Sequence, residues 1–178
     1  MIAPFIKNIS ICIVTLFSVV NWNTTNAQNL DSLNLELLQK RIPEWARKVV
    51  GNSEIMKNYE ILDNINPFYL EADFNADELV DIVFYVKGKL SKKNGVAIIN
   101  HGDNNVYILG AGKDMGMGTD ISWCNTWFIY RDKWIYNFND KKKKFMIRNP
   151  GIEIVKSEKT SVIIYWDKRR YKTYIKHI

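Results

Sequence analysis

Cysteine is scarce in this chain, which has two among its 178 residues. One of them, Cys12, lies in an N-terminal stretch with the pattern of an export signal, so Cys124 is expected to be alone in the mature chain. A single cysteine excludes an internal disulfide and any metal site built on paired cysteines. We expect Cys124 to be a buried small apolar residue rather than a catalytic thiol, because only His101 and His177 are available as imidazole partners.

The sequence also lacks the compact motifs that identify common enzyme classes. It has no G-x-S-x-G nucleophile elbow and no H-E-x-x-H zinc motif. Its glycine-rich segment, 110–118, is not a phosphate loop, because Lys113 is followed by Asp114 and Tyr107 stands where the first glycine would be. A dinucleotide fingerprint would need glycine in place of Met115. We expect a mobile, glycine-rich surface loop, a type of loop that can border a binding cleft, and we assign no catalytic residue.

Residues 1–27 have the three parts of a signal peptide. Lys7 gives the positive start, Ile9–Val20 the apolar core, and Thr25-Asn26-Ala27 a small-residue cleavage site that ends the signal. The apolar core is shorter than the roughly 20 residues that span a bilayer, so stable membrane insertion of the mature chain is not expected. Residues 28–178 would remain, 178 − 27 = 151 residues, the size of one domain. With no Asn-x-Ser/Thr sequon in that part, the sequence predicts a secreted or periplasmic protein.

Hydrophobic patterning changes once along the mature chain. After Asp31, which can cap a helix, apolar residues recur at helical spacing in Leu33, Leu37, Leu38 and Ile42. The segment 52–66 fits either helix or loop. Beyond it, short apolar or alternating runs are separated by turns rich in Asp, Asn, Lys and Gly, as in antiparallel strands. We predict an α+β, mainly β domain, with an N-terminal helix followed by an antiparallel meander of about eight to ten strands.

Charge is unevenly distributed along the chain. Residues 28–130 have 10 Lys/Arg and 14 Asp/Glu, net 10 − 14 = −4, whereas residues 131–178 have 14 and 5, net 14 − 5 = +9. The basic runs Lys141–Lys144 and Lys168–Arg170 fall where turns are expected. We therefore interpret them as solvated turns rather than as a nucleic-acid surface.

Aromatic residues alternate along one predicted strand, at Trp134, Tyr136 and Phe138. This spacing places them on one face of the strand. Such a stripe either fills a core or forms an exposed surface that stacks on sugars or peptides. We favour the core, where large aromatic side chains are most often found.

The strongest site signal is an acidic loop that leads into an apolar strand. Residues 73–81 read D-F-N-A-D-E-L-V-D and are followed directly by the run Ile82–Val86. Oxygen side chains at alternate positions of a tight loop converge on one point, and Ca²⁺ takes about six to eight oxygen ligands. The pattern predicts a divalent-cation site that includes Asp73, Asn75 and Asp77. The alternative is a solvated turn rich in Asx residues.

This loop resembles the calcium-binding signature of FG-GAP and VCBS repeats, the integrin-α-type blade motif D-x-[DN]-x-D-G-x-x-D. The resemblance implies that Asp73, Asn75, Asp77 and Asp81 supply side-chain ligands, that Leu79 supplies its backbone carbonyl, and that a bound Ca²⁺ is structural. Ala76 and Glu78 replace the glycines common in the loop, which implies a glycine-like backbone conformation at Glu78. The motif occurs once, so no array of propeller blades is implied.

The whole chain also resembles small secreted proteins of Bacteroidetes-type bacteria. The features that carry this resemblance are the signal end Ala27-Gln28, the acidic loop, the block GVAIINHGDNNVYILGAGK at 95–113 and the closing IIYWDKRRY at 163–171. This resemblance implies a location and a domain type rather than an activity.

Three hypotheses for function follow. The first is an exported β-rich binding or structural module, stabilised by Ca²⁺ through the 73–81 loop, whose partner is a protein or a cell-envelope glycan and not a nucleic acid. The second is a small secreted hydrolase with a site around the 110–120 glycine-rich loop, using Asp114, Asp120 and His101. The third is a periplasmic inhibitor or immunity protein with one tight protein partner. We prefer the first, because the sequence offers no catalytic motif.

Overall fold

The structure, a computed structural model, describes residues 40–116, 118–136, 144–157 and 160–177. The predicted signal peptide and almost all of the helix predicted after Asp31 lie outside these residues. The chain divides into two compact units, Met1–Pro43 and Glu44–Ile178, and every element below belongs to the second. In the part of the chain that the structure describes, no helix is long and apolar enough to cross a membrane.

The second unit begins with one helix, α1, which spans Glu44–Asn52. Glu44 in its first turn forms an ion pair with Lys48, with 2.9 Å between Oε1 and Nζ. Both features support the start of the helix, because an acidic group is stabilised at the N-terminus and Glu–Lys pairs one turn apart attract each other. A 3₁₀ turn, Met56–Asn58, follows and leads into the first strand.

The first sheet is antiparallel and is built around its longest strand, β3. β4 lies on one side of β3, with β5 beyond it, while β1 and β2 pair with the two ends of β3 on its other side. All residues of Ile82–Val86 are at most 1% exposed. The continuous apolar run in the sequence is therefore explained by a central strand that is covered on both faces. The strands are β1 (Tyr59–Ile61), β2 (Tyr69–Ala72), β3 (Asp81–Gly88), β4 (Asn94–Ile99) and β5 (Val106–Gly110).

A second antiparallel sheet and a small hairpin complete the unit. The four strands of the second sheet lie in the order β11-β10-β9-β6, and among the described strands β7 pairs only with β8. The turn at Lys168–Arg170 joins β10 to β11 and is exposed, as predicted for this basic run. The strands are β6 (Thr126–Tyr130), β7 (Trp134–Tyr136), β8 (Lys144–Met146), β9 (Gly151–Ser157), β10 (Thr160–Trp166) and β11 (Tyr171–His177).

One apolar cluster joins the two larger sheets face to face. It includes Tyr85 and Ile98 from the first sheet and Trp127 and Ile154 from the second. The rings of Tyr85 and Trp127 meet edge to face, with centroids 6.2 Å apart. The Tyr85 hydroxyl donates to the carbonyl of Ile121 at 2.8 Å, so the polar end of this buried ring is satisfied.

A smaller cluster fixes the β7–β8 hairpin to the rest of the unit. Ile135 of β7 is 1% exposed and belongs to the same cluster as Tyr130, Ile147 and Ile163. Phe145 of β8 is partly buried and packs against this cluster. The hairpin therefore has one face turned toward the core, and a two-stranded hairpin needs such packing to be stable.

The mainly β, antiparallel character predicted from the sequence is confirmed, but the element count was wrong. The described residues contain eleven strands, against about eight to ten predicted. Part of the difference is β1, which lies in the segment 52–66 that fitted either helix or loop. Its three residues are too few to show a strand period, and they are fixed as a strand by pairing with Val86–Gly88 of β3. The described helix begins at Glu44, directly after Pro43, whereas almost all of the helix predicted after Asp31 lies outside the described residues.

Cys124 is expected to react slowly in the folded protein. It is buried, its thiol donates to the carbonyl of Thr126 at 3.4 Å, and burial raises the pKa of the thiol to about 11. Because the thiolate is the reactive form, labelling by a disulfide reagent at about pH 8 should be far slower in the native protein than in denaturant. Native labelling as fast as that of the unfolded chain would contradict this placement.

Candidate metal centre and surrounding surfaces

The acidic loop joins two neighbouring strands of the first sheet. β2 ends at Ala72 and β3 begins at Asp81, and these residues face each other across the strand pair, so the loop is closed at its base. Asp73 organises the loop between them. Its Oδ1 accepts the backbone N–H of Ala76 at 2.7 Å, and its Oδ2 accepts that of Glu78 at 3.1 Å. The backbone therefore wraps around the Asp73 carboxylate.

The side chains of Asn75 and Asp77 meet in the same loop. Asn75 Nδ2 donates to Asp77 Oδ2 at 2.9 Å, and the backbone N–H of Asp77 donates to Asn75 Oδ1 at 3.1 Å. Asp77 Oδ1 in turn accepts the backbone N–H of Leu79 at 2.9 Å. These are two successive Asx turns. The structure thus brings Asp73, Asn75 and Asp77 together, with Leu79 exposed at the end of the loop.

Two residues of the loop adopt a left-handed backbone. The φ angle is 67° at Ala76 and 68° at Glu78, the positions at which the resembling motif commonly has glycine. For residues with a Cβ this conformation costs about 1–2 kcal/mol each. Both amides donate to the Asp73 carboxylate, and these bonds offset part of that cost.

Asp81 lies beneath the loop and is fully buried. Its Oδ2 accepts the backbone N–H of Phe74 at 2.8 Å and of Asn75 at 3.3 Å, and its Oδ1 accepts that of His101 at 3.0 Å. Burial raises the pKa of Asp81 to about 6 against the lowering effect of these bonds, and the negative charge of Asp77 adds to the rise. Asp81 therefore anchors the loop to the turn after β4 through backbone bonds that occupy both of its oxygens.

Gly102, in the turn after β4, is a residue of this site that the sequence did not single out. A Cβ on Gly102 would lie 2.6 Å from Asp77 Oδ2, which is too close for any side chain without a shift. The glycine therefore lets this turn approach the acidic loop. The only signal in the sequence was the turn pattern Gly102-Asp103-Asn104-Asn105, which does not reveal what the turn packs against.

Carboxylates alone do not complete a metal cage here. In residues 40–116 and the other described ranges, no group of three or more His, Cys, Asp and Glu side chains is arranged to hold a metal ion. A cation in this loop would therefore depend on the Asn75 oxygen and the Leu79 carbonyl besides Asp73 and Asp77. This donor set of carboxylate, amide and carbonyl oxygens is the type that Ca²⁺ prefers.

The three residues of the hydrolase hypothesis lie in different surroundings. Asp114 lines a cleft of about 580 Å³, together with residues of β5 and β11 but without Asp120 or His101. His101 lines another cleft, where its ring stacks on Trp45 with centroids 4.1 Å apart. Among the described residues that line the Asp114 cleft, there is no second carboxyl group and no histidine. The structure therefore does not bring Asp114, Asp120 and His101 together as an acid–base set.

Asp120 has a structural partner set of its own. It accepts the backbone N–H of Asn94 at 2.8 Å, and it accepts both the backbone N–H and the hydroxyl of Ser122 at 3.0 Å. Partial burial acts to raise the pKa of Asp120, but these hydrogen bonds outweigh it and leave the pKa below its usual value. An ionised carboxylate that fixes the start of β4 is unsuited to act as a general acid.

The outer face of the β7–β8 hairpin is exposed, contrary to the expectation that its aromatic residues belong to the core. Trp134 and Tyr136 are 38% and 48% exposed, while Ile135 between them is buried, so the aromatic stripe is not core. Met146 lies opposite Trp134 across the hairpin and is 55% exposed. Lys144 places its Nζ 4.3 Å from the Trp134 ring centroid. Phe138, the third member of the predicted stripe, lies outside the described residues.

Comparison with known proteins adds no relative. No protein-family model matches the chain, and no curated protein or solved structure does either.

The raised pKa of Asp81 predicts that the free energy of unfolding falls as pH rises. Its carboxyl has a pKa of about 6 in the fold against an ordinary value of 3.8, so folding favours the protonated form. This contribution to the free energy of unfolding is fully present below about pH 4 and is lost as pH rises through about 6. Urea unfolding of the protein in EDTA should show this loss, and Asp81→Asn should reduce it. Asp103→Asn, at an exposed position in the turn after β4, is the matched control. An unchanged pH profile in Asp81→Asn would contradict the assignment.

Proposed function

We propose that this protein is an exported, non-catalytic β-rich binding module, secreted or periplasmic, that is stabilised by one Ca²⁺ in the 73–81 loop. The observation that carries the binding role is the exposed outer face of the β7–β8 hairpin. Its partner is a protein or a cell-envelope glycan with a negatively charged surface.

The exposed residues of this face are not needed to hold the hairpin in place. Ile135 and Phe145 already pack on the inner side, whereas Trp134, Tyr136 and Met146 leave apolar surface in water. Aromatic and methionine side chains are enriched in protein interfaces, and aromatic rings also pack on the apolar faces of sugars. A contiguous patch of this kind supports a contact surface.

The charge around the patch supports an anionic partner. Lys144 lies over Trp134 and also 5.7 Å from the ring centroid of Tyr136, so its ammonium group adds positive charge to the aromatic face. Residues 131–178 as a whole carry 14 basic and 5 acidic residues, a net charge of 14 − 5 = +9. Such a balance attracts acidic protein surfaces or acidic glycans over neutral ones.

The structural role of Ca²⁺ rests on the crowding of negative groups at one end of β3. Asp73, Asp77 and Asp81 lie within nine residues of chain, and the charge of Asp77 contributes to the raised pKa of Asp81. A cation held by Asp73, Asn75, Asp77 and the Leu79 carbonyl would offset this repulsion. It would also fix the loop that joins β2 to the central strand, and so stabilise the fold without taking part in a reaction.

Calcium should raise the unfolding temperature of the protein through this loop. A ligand that binds only the folded state stabilises it by about 2.7 kcal/mol at a hundredfold excess over its Kd. Thermal unfolding in millimolar Ca²⁺ should therefore give a higher Tm than in EDTA, and Asp77→Ala should lose the difference. Asp103→Ala removes a neighbouring acid outside the loop and should keep it. No shift in the unmodified protein, or equal shifts in both variants, would overturn the calcium proposal.

The hairpin face should bind acidic polymers through its rings. In affinity electrophoresis, an acidic polysaccharide in the gel should retard the protein more than a neutral one. The double variant Trp134→Ala/Tyr136→Ala should weaken binding by about tenfold or more, since central aromatic side chains carry a large share of interface energy. Leu90→Ala, at a residue 97% exposed elsewhere, is the control for loss of exposed apolar surface.

Equal retardation of all three proteins would contradict a role for this face in glycan binding. The same variants in a pull-down from cell envelopes distinguish the kinds of partner. A single protein, captured tightly and lost in the double variant, would identify an inhibitor or immunity protein instead of a glycan-binding module.

A further inference from the structure

A cleft lies between the edge strands of the two large sheets. β5 is the last strand of the first sheet and β11 is the last strand of the second. The cleft is lined by residues 106–109 of β5, by Arg170 at the end of the preceding turn and by residues 171–173 at the start of β11, and the loop 113–116 borders it. Its volume of about 580 Å³ is within the range of ligand-binding clefts.

The hydrogen-bond pattern shows which backbone groups of β5 point away from β4. Asn100 N donates to Asn105 O at 3.0 Å, and Ala111 N donates to Asn94 O at 2.8 Å. Because hydrogen-bonded pairs alternate along antiparallel strands, residues 105, 107, 109 and 111 bond to β4. The N–H and C=O groups of Val106, Ile108 and Gly110 therefore point outward. The Gly110 carbonyl is consistent with this direction, because it accepts the N–H of Lys113, which lies outside the β4–β5 pair, at 2.9 Å.

The same reasoning applies to β11. Asp167 N donates to Arg170 O at 2.9 Å, and Trp166 pairs with Tyr171 in the next position. The backbone groups of Tyr171 and Thr173 therefore point away from β10. Both walls of the cleft thus present unpaired strand edges, and no strand of the described residues pairs with either one.

The residues of the β5 edge do not themselves prevent strand pairing. Its residues Val106–Leu109 are apolar or aromatic, without the lysine, proline or bulge that commonly protects an exposed edge. The rings of Tyr107 and Tyr171, 5.1 Å apart, close the cleft toward the core. The Thr173 hydroxyl, which donates to the carbonyl of Met115, ties the bordering loop to β11.

The charges that line the cleft indicate the kind of peptide it would accept. Lys113, Arg170 and Lys172 are basic, and Asp114 is the one acidic residue among the described lining residues. Lys172 pairs with Asp167, which does not line the cleft. The lining therefore complements carboxylate side chains more than ammonium groups.

We propose that an extended, acidic peptide segment of a partner protein binds in this cleft by adding a strand to β5. Main-chain bonds to Val106 and Ile108 provide affinity, and Lys113 and Arg170 select acidic side chains. The cleft shares no residue with the acidic loop or the hairpin face, so this inference goes beyond the proposed function and depends on neither calcium nor glycan binding.

A peptide of alternating valine and glutamate, labelled for fluorescence anisotropy, is the probe. It should bind the full chain more tightly than its valine–lysine counterpart. Ile108→Pro removes one outward N–H, at an edge position that tolerates proline, and should weaken binding by about tenfold or more. Ile108→Ala keeps the N–H and should bind nearly as the unmodified protein does. Lys113→Glu should reverse the preference between the two peptides.

A second measurement keeps the test decisive if Ile108→Pro fails to fold. The valine–glutamate peptide, N-methylated at every residue, has no N–H group to donate to a strand edge and should lose binding to the unmodified protein. Equal binding of the methylated peptide, equal binding to a folded Ile108→Pro protein, or no preference for glutamate would overturn the proposal. So would self-association of the chain that Ile108→Pro abolishes, since the occupant of the edge would then be a second copy.

Discussion

The burial of β3 on both faces is the constraint on which the rest of the unit depends. Its apolar run is covered by the second sheet on one side, through contacts such as Tyr85 with Trp127, and on the other side by aromatic packing such as Phe68 on Phe84, with centroids 6.2 Å apart. Three other strands pair directly with β3, so its position fixes theirs. The acidic loop enters this strand at Asp81, which is why a surface loop ends in a fully buried carboxyl group.

Two opposing effects act on the pKa of that carboxyl group. Three backbone N–H groups converge on Asp81 and favour its ionised form, whereas burial and the nearby Asp77 oppose ionisation, and the raised pKa shows that burial prevails. Replacement by an apolar residue would leave those N–H groups unpaired, so an acid is retained at an electrostatic cost. A cation above the loop would relieve the cost without disturbing the bonds, and this links the proposed calcium site to the stability of the central strand.

The sequence was informative where one pattern had one physical meaning. The run Ile82–Val86 predicted a central strand, and the basic turn before Tyr171 predicted a hairpin, because continuous apolar residues and turn residues each fit few environments. The β7–β8 hairpin was different. Both of its faces are apolar, Ile135 and Phe145 on one and Trp134, Tyr136 and Met146 on the other, so alternation separated the faces but did not show which one is buried. Only the packing partners in the rest of the unit decide that, and they are distant in sequence.

The open edges of β5 and β11 could not be predicted from the sequence for a related reason. Whether a strand is central or at an edge depends on sheet order, and β5 reads as apolar as a central strand. An unprotected apolar edge promotes aggregation unless its access is restricted. Here the second sheet edge and the bordering loop leave a slot beside β5 rather than a flat ribbon. The basic residues of the slot disfavour pairing of β5 with a basic strand of a second copy of the chain, such as its β11, because like charges would be brought together. The same arrangement leaves the edge accessible to a narrow, extended and acidic segment, which satisfies both its hydrogen bonds and its charge.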